Sequence, residues 1–334
     1  MFLSYHKYMV NCKQGELKMA QNRIGIDVGG TNVKLALVSP EGKIIYSNSI
    51  PTHAEMGYEY TVKNIKEAIR DLLKETESKT EDIQGIGFGF PGQVDYKSGV
   101  VRLAPNIPGW VDVPIAKMIE DEFHIPTRVD NDVRCAALGE LNFGAGQGCE
   151  NLICITVGTG IGSGLIVNGK LVRGAANAAG EIGHIKLQMK DGPICGCGDT
   201  GCLEAFASGP SIVAMAEDYI KGGKSTKFRE LANPDITPYV VYEAAKAGDP
   251  VAKRIFTVTG EYIGMGLTSV INLLNPEKVI IGGGVAAAGD FLLEPIRETV
   301  KKRAMKIAGE AVEIVPAQLG NTAGVIGASM LIES

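Results

Sequence analysis

The chain has 334 residues, of which 45% are hydrophobic and 21% charged, and its net charge is −5. This composition excludes extensive disorder, and at roughly 100–200 residues per domain the length points to two domains. The acidic balance, without a dense Lys/Arg block, excludes nucleic acid or a membrane surface as an electrostatic partner, and no apolar run reaches the roughly 18 residues that span a bilayer.

Residues 1–22 carry Lys7, Lys13 and Lys18 but no apolar core or small-residue cleavage site. They read as an N-terminal extension, expected to be disordered, and not as a secretion signal. Met9 and Met19 leave a later start open. The seven Cys are an odd number. Without a signal peptide, that points to a reducing cytoplasm.

The first folded segment is a strand at Ile24–Asp27, then Gly29-Gly30, a strand at Val33–Val38, a turn at Pro40–Lys43 and a strand at Ile44–Tyr46. Apolar spacing predicts a helix over Thr61–Lys79 and a strand over Ile83–Phe90. A helix is expected over Ile115–Phe123, a short strand at Arg128-Val129 and a helix over Val133–Leu141. A second meander follows, with strands at Leu152–Val157 and Gly162–Val167. Asn168-Gly169 then marks a hairpin before Lys170–Val172. The last third alternates: helix Ile255–Leu274, strand Lys278–Ile281, helix Phe291–Ala304, strand Val312–Val315 and helix Ala323–Ile332.

The two meanders form an internal repeat, each reading strand, Gly/Thr turn, strand, turn, strand. They predict two similar α/β domains facing each other across a cleft, one over residues 23–135 and one over 136–334. The first turn reads Asp27-Val28-Gly29-Gly30-Thr31-Asn32-Val33-Lys34. Its glycines let backbone approach an anion, and its N–H groups and the Thr31 hydroxyl can bind phosphate oxygens. Asp27 is placed to hold Mg²⁺ through water. A plain hairpin with a capping Asp fits that turn equally well. The second turn, Gly158-Thr159-Gly160-Ile161-Gly162, is a poor strand composition whose alternative reading is a set of bulges. Two such turns in equivalent positions point to a nucleotide gripped between the domains.

Two competing motifs fail. Gly87-Phe88-Gly89-Phe90-Pro91-Gly92 matches a dinucleotide fingerprint, but the residues after it do not open a helix. Gly223-Lys224-Ser225 resembles the end of a P-loop, but Asp218 stands where its first Gly belongs, so it reads as a surface turn.

His184, Cys195, Cys197 and Cys202 form a Cys₃His set suited to tetrahedral Zn²⁺. With four protein ligands the ion has no open position, so its expected role is structural. A nucleic-acid zinc knuckle is the alternative, and the absence of a basic patch counts against it. Glu181 and Glu204 flank the set, and carboxylates with an imidazole suit the hydroxyls of a polyol. Asn131 and Asp132 lie between a strand end and a helix start. Asp132 either caps that helix or accepts a proton from a substrate hydroxyl while Asn131 orients the sugar. The Pro105–Trp110 loop can bring Asn106 to the same hydroxyls. Trp110, the one Trp, is expected to pack in the core.

Over Ile24 to Ile332 these motifs resemble the ROK family (repressors, open reading frames, kinases). The most specific element is Cys195-Gly-Cys-Gly-Asp-Thr-Gly-Cys-Leu-Glu204 after Gly183-His184. The resemblance implies an α/β, two-domain actin-like (ribonuclease H-like) sugar kinase fold with its ligand cleft between the domains. The C-terminal helix would then pack back on the small domain. It also implies ATP and Mg²⁺ as cofactors, structural Zn²⁺, and phosphorylation of a hexose on its 6-hydroxyl. By motif match Asp132 resembles the catalytic base. Asn106, Asn131, Glu181, His184 and Glu204 resemble sugar ligands, and the zinc His also touches the sugar. Asp27, Gly29, Gly30, Thr31, Lys34, Thr159 and Gly160 fall on the phosphate loops, and Gly282, Gly283 and Gly284 on the adenosine motif.

Some family members are repressors with an N-terminal helix-turn-helix. The residues ahead of Ile24 are too few for that domain, and every kinase motif is kept, so an enzyme is expected. Among the family's kinases the pattern lies nearest those acting on D-glucose. Kinases of mannose, fructose, N-acetylglucosamine and N-acetylmannosamine share these residues. The family also implies a homodimer or homotetramer.

Overall fold

The computed structural model describes residues 21–333 apart from 106, 224, 225 and 232–234. The described chain forms two compact units. One runs through Asp132 and takes back Ala328–Glu333, and the other holds Val133–Gly327.

In the first unit, β1 (Asn22–Val28), β2 (Asn32–Val38) and β3 (Ile44–Pro51) form an antiparallel meander. Helix α1 (Tyr58–Glu75) follows, then β4 (Ile83–Phe90). A small antiparallel sheet comes next, made of β5 (Gln93–Asp95), β6 (Val100–Leu103) and β7 (Val111–Val113). Helix α2 (Ile115–Phe123) leads into β8 (Thr127–Asn131). The main sheet has the order β3-β2-β1-β4-β8, with β4 parallel to β1 and to β8. Alternate residues of β1 and β2 bury Ile24, Ile26, Val33 and Leu35 in one core with Ile65, Ile69 and Phe88.

The second unit begins within α3 (Asp132–Phe143) and continues with β9 (Leu152–Val157), β10 (Ile161–Val167) and β11 (Lys170–Leu171). Four helices follow the cysteine-rich loop: α4 (Leu203–Ala207), α5 (Gly209–Lys221), α6 (Phe228–Leu231) and α7 (Pro238–Lys246). Then come α8 (Pro250–Leu274), β12 (Lys278–Gly282), α9 (Asp290–Arg303), α10 (Lys306–Ala311), β13 (Glu313–Pro316) and α11 (Ala323–Ser329). The sheet order is β11-β10-β9-β12-β13, with β12 parallel to β9 and to β13. Each sheet is therefore an antiparallel meander whose first strand also pairs with a later parallel strand. The internal repeat read from the sequence is a repeat of topology.

Most predicted strands stand where their β-branched runs place them. The first helix does not. It starts at Tyr58 and ends at Glu75, short of Lys79. Thr76 closes it by donating its hydroxyl to the Leu72 carbonyl at 2.8 Å, and Glu77 then takes a left-handed φ of 51°. The long helix starts at Pro250, not Ile255, because Asp249 caps the Val251 and Ala252 amides at 2.8 and 2.9 Å. The β5–β7 sheet and α4 to α7 had no counterpart in the sequence reading. The turn at Asn168-Gly169 has positive φ at both residues, 51° and 70°, as the tight hairpin requires. Among the described residues no helix is long and apolar enough to cross a membrane.

Candidate active site

In the first unit, Gly29, Gly30 and Thr31 turn the chain from β1 into β2. The Gly29 amide donates to the Asn32 carbonyl at 2.9 Å. Buried Thr52, just past β3, braces the turn. Its hydroxyl donates to the Gly29 carbonyl at 2.6 Å and its amide to the Thr31 carbonyl at 2.9 Å. Gly30 and Thr31 stay exposed at the tip. Asp27 and Lys34 are opposed in the antiparallel register. Burial pushes the Asp27 carboxyl above its ordinary range, and the Lys34 charge offsets part of that rise.

Asn131 ends β8 and Asp132 is the first residue of α3. The Asn131 amide group donates to the carbonyl of Gly92 at 3.3 Å, and its backbone N–H donates to fully buried Asp130 Oδ1 at 2.8 Å. Asp132 is half-buried. A carboxylate in the first turn of a helix meets the positive end of the helix dipole. Asn106 lies outside the described residues. Trp110 is 1% exposed and packs with its ring 4.6 Å from Phe90, as core and not as a stacking surface. The Gly87 fingerprint has its own explanation: a Cβ at Gly87 would overlap the Ala328 carbonyl oxygen, and β5, not a helix, follows the run.

In the second unit, Gly158, Thr159 and Gly160 link β9 to β10, with Thr159 exposed at the tip. Two predicted segments and the start of α5 meet this turn. Glu204 Oε2, on α4, accepts the Ile161 amide at 2.8 Å. The Gly209 amide, opening α5, donates to the Gly158 carbonyl at 2.7 Å. Gly283, with φ of 88°, passes so close to Val157 that a Cβ would overlap its carbonyl oxygen. The turn is thus set against both the Glu204 segment and Gly282–Gly284.

Glu181 precedes and His184 ends a single helical turn, Ile182–His184, with Glu181 exposed and His184 half-buried. The Ser163 hydroxyl donates to the Gly180 carbonyl at 2.7 Å and fixes the start of that segment. Cys195 Sγ lies 3.6 Å from His184 Nδ1, and the sulfurs of Cys197 and Cys202 are 3.8 Å apart. All four donor atoms lie within 4.8 Å of one another. A tetrahedral ion with Zn–S near ~2.3 Å and Zn–N near ~2.0–2.1 Å needs S···S edges of about 3.8 Å and N···S edges of about 3.6 Å. The residues fit such an ion, with His184 Nδ1 as the imidazole donor beside Cys195 Sγ. Burial pushes the Cys195 thiol up to about 12, so a cation is needed to keep it a thiolate. Cys195 Sγ also lies 3.7 Å from Glu204 Oε1. One carboxylate therefore touches both the cysteine cluster and the second Gly/Thr turn.

Sequence reasoning missed Thr52 and Lys186. Lys186 Nζ stands 3.0 Å from Cys202 Sγ. Neither has a local motif, because their partners come from distant residues.

A family model described as the ROK family matches residues 23–334. A glucokinase of Halalkalibacterium halodurans is 38% identical over 312 residues, which cover 93% of this chain and 94% of that protein. A xylose repressor of Caldicellulosiruptor bescii is 33% identical over 312 residues, covering 93% of this chain and 78% of the repressor. Among solved structures, a ROK family glucokinase from Streptomyces griseus in complex with glucose and AMPPNP superposes with a TM-score of 0.79. It is 35% identical, and the match covers 93% of this chain and 98% of that one.

Proposed function

The chain belongs to the ROK family and has its actin-like sugar kinase fold, and on that premise we propose that it transfers the γ-phosphoryl group of ATP to the 6-hydroxyl of a hexose, D-glucose first. The observation that carries this reading is the Gly/Thr turn that recurs at the same place in two sheets of the same order. The glucokinase relative and the glucose- and nucleotide-bound neighbour support the choice of substrate.

Phosphoryl transfer runs through a loose transition state, so positioning and charge do most of the work. Asp132 orients the 6-hydroxyl and takes its proton late in the transfer. Asn106, Asn131, Glu181, Glu204 and His184 Nε2 bind the remaining hydroxyls. Thr31, Gly29 and Gly30 on one turn, and Thr159 and Gly160 on the other, receive phosphate oxygens through N–H and hydroxyl donors. Gly282–Gly284 leave room for the adenosine. Mg²⁺, when bound, neutralises triphosphate charge, and Asp27 would hold it through water with Lys34 alongside. Zn²⁺, when bound to His184, Cys195, Cys197 and Cys202, supplies a rigid node that fixes the Glu181–Glu204 segment.

The repressor relative favours a second reading, a sugar sensor without turnover. ADP release measured with glucose, mannose, fructose, N-acetylglucosamine and N-acetylmannosamine separates the two and ranks the sugars. The kinase reading predicts release with at least one hexose, with glucose giving the highest kcat/KM. Sugar binding without ADP release for any of them supports the sensor.

A further inference from the structure

Lys186 is exposed, lies outside the predicted ligand set and has no role in phosphoryl transfer, yet its ammonium group is held in three directions at the cysteine cluster. It donates to Cys202 Sγ at 3.0 Å and to the Thr200 carbonyl at 3.0 Å, and it pairs with Asp199 Oδ2 at 2.6 Å. The backbone sets this up. Lys186 and Cys202 form an isolated antiparallel bridge, and the Leu187 amide donates to the Gly201 carbonyl at 2.8 Å.

Charge explains the placement. A divalent ion with three thiolates and a neutral imidazole carries one surplus negative charge. Cys202 is 0% exposed, so water cannot reach its sulfur to spread that charge. We propose that Lys186 is the outer partner of the metal centre: its ammonium hydrogen-bonds the buried Cys202 thiolate, neutralises the cluster and slows loss of the ion, while Asp199 and the Thr200 carbonyl aim it. Lys186 is a positioning residue that acts through Cys202 and touches no substrate. The inference rests on the metal reading above. An exposed Lys–Asp pair closing a loop is the simpler account, and such pairs contribute little.

The test is zinc transfer from the folded, purified protein to a chromogenic chelator, with zinc content measured beforehand. Outer partners of metal ligands typically hold roughly 10–100-fold in metal affinity, so Lys186→Met is expected to speed zinc loss by roughly that factor. Lys186→Arg, which keeps a charged donor, should stay near wild type and guards against a folding defect in the first variant. Asp199→Asn, which removes the pair but not the contact to sulfur, should have a much smaller effect. In Co²⁺-substituted protein, Lys186→Met should move the thiolate-to-cobalt band to longer wavelength, a change that loop loosening alone does not produce. Wild-type zinc loss in Lys186→Met overturns the proposal, as does Asp199→Asn matching it. Wild-type protein that binds no zinc overturns the metal reading, and the role of Lys186 falls with it.

Discussion

Glu204 accepts the Ile161 amide at 2.8 Å, so the helix that follows the last cysteine holds the turn between β9 and β10. A hydrogen bond to a charged group contributes about 1.5–3 kcal/mol, which corresponds to roughly ten- to hundredfold in binding. Glu204→Gln keeps an oxygen that can accept the amide but loses the charge proposed above to bind the sugar. It is expected to raise KM for the hexose and leave KM for ATP nearly unchanged. Glu204→Ala should raise both. Steady-state kinetics with each substrate varied in turn reads the split.

Asp132→Ala should lower kcat by about 10²–10⁴-fold, the usual contribution of a positioned general base. Sugar affinity, read by calorimetry, should change little. A variant with near-normal kcat would remove Asp132 from the chemistry.

Burial raises the Asp27 carboxyl above its ordinary range. The folded state therefore binds this proton more tightly than the unfolded state, and the charged form costs stability as pH rises through that window. Asp27→Asn is expected to raise Tm at neutral pH while sharply weakening Mg-ATP turnover. Thermal unfolding at acid and neutral pH provides the check. The gain should shrink toward low pH, where the wild-type carboxyl is itself protonated.

Gly283→Ala forces a side chain into a φ of 88° against the Val157 carbonyl. A destabilisation of about 1–3 kcal/mol is expected, together with weaker nucleotide binding. Chemical denaturation and nucleotide titration measure the two effects.

Much of this was legible in the sequence because the informative signals are local. Ile83–Phe90, Ile115–Phe123 and Leu152–Val157 carry their structure in their own apolar pattern, and the structure gives them the same bounds. The two Gly/Thr turns and the Cys₃His spacing are equally local. The small sheet was not legible, because β5 and β7 are three residues each and are held by burial of Val94, Val101 and Trp110. The starts of α7 and α8 do carry a local signal, Thr237-Pro238 and Asp249-Pro250, each a cap followed by Pro. Thr52 reaches a turn 23 residues away and Lys186 a sulfur 16 residues away, so no window of sequence displays them.

The central claim is best tested by phosphorus NMR of the purified protein with Mg-ATP and D-glucose. The account predicts glucose 6-phosphate and ADP forming in equal amounts, and about 10²–10⁴-fold more slowly with Asp132→Ala. Intact ATP beside unmodified glucose and the other common hexoses, in protein shown to bind both substrates, would contradict it.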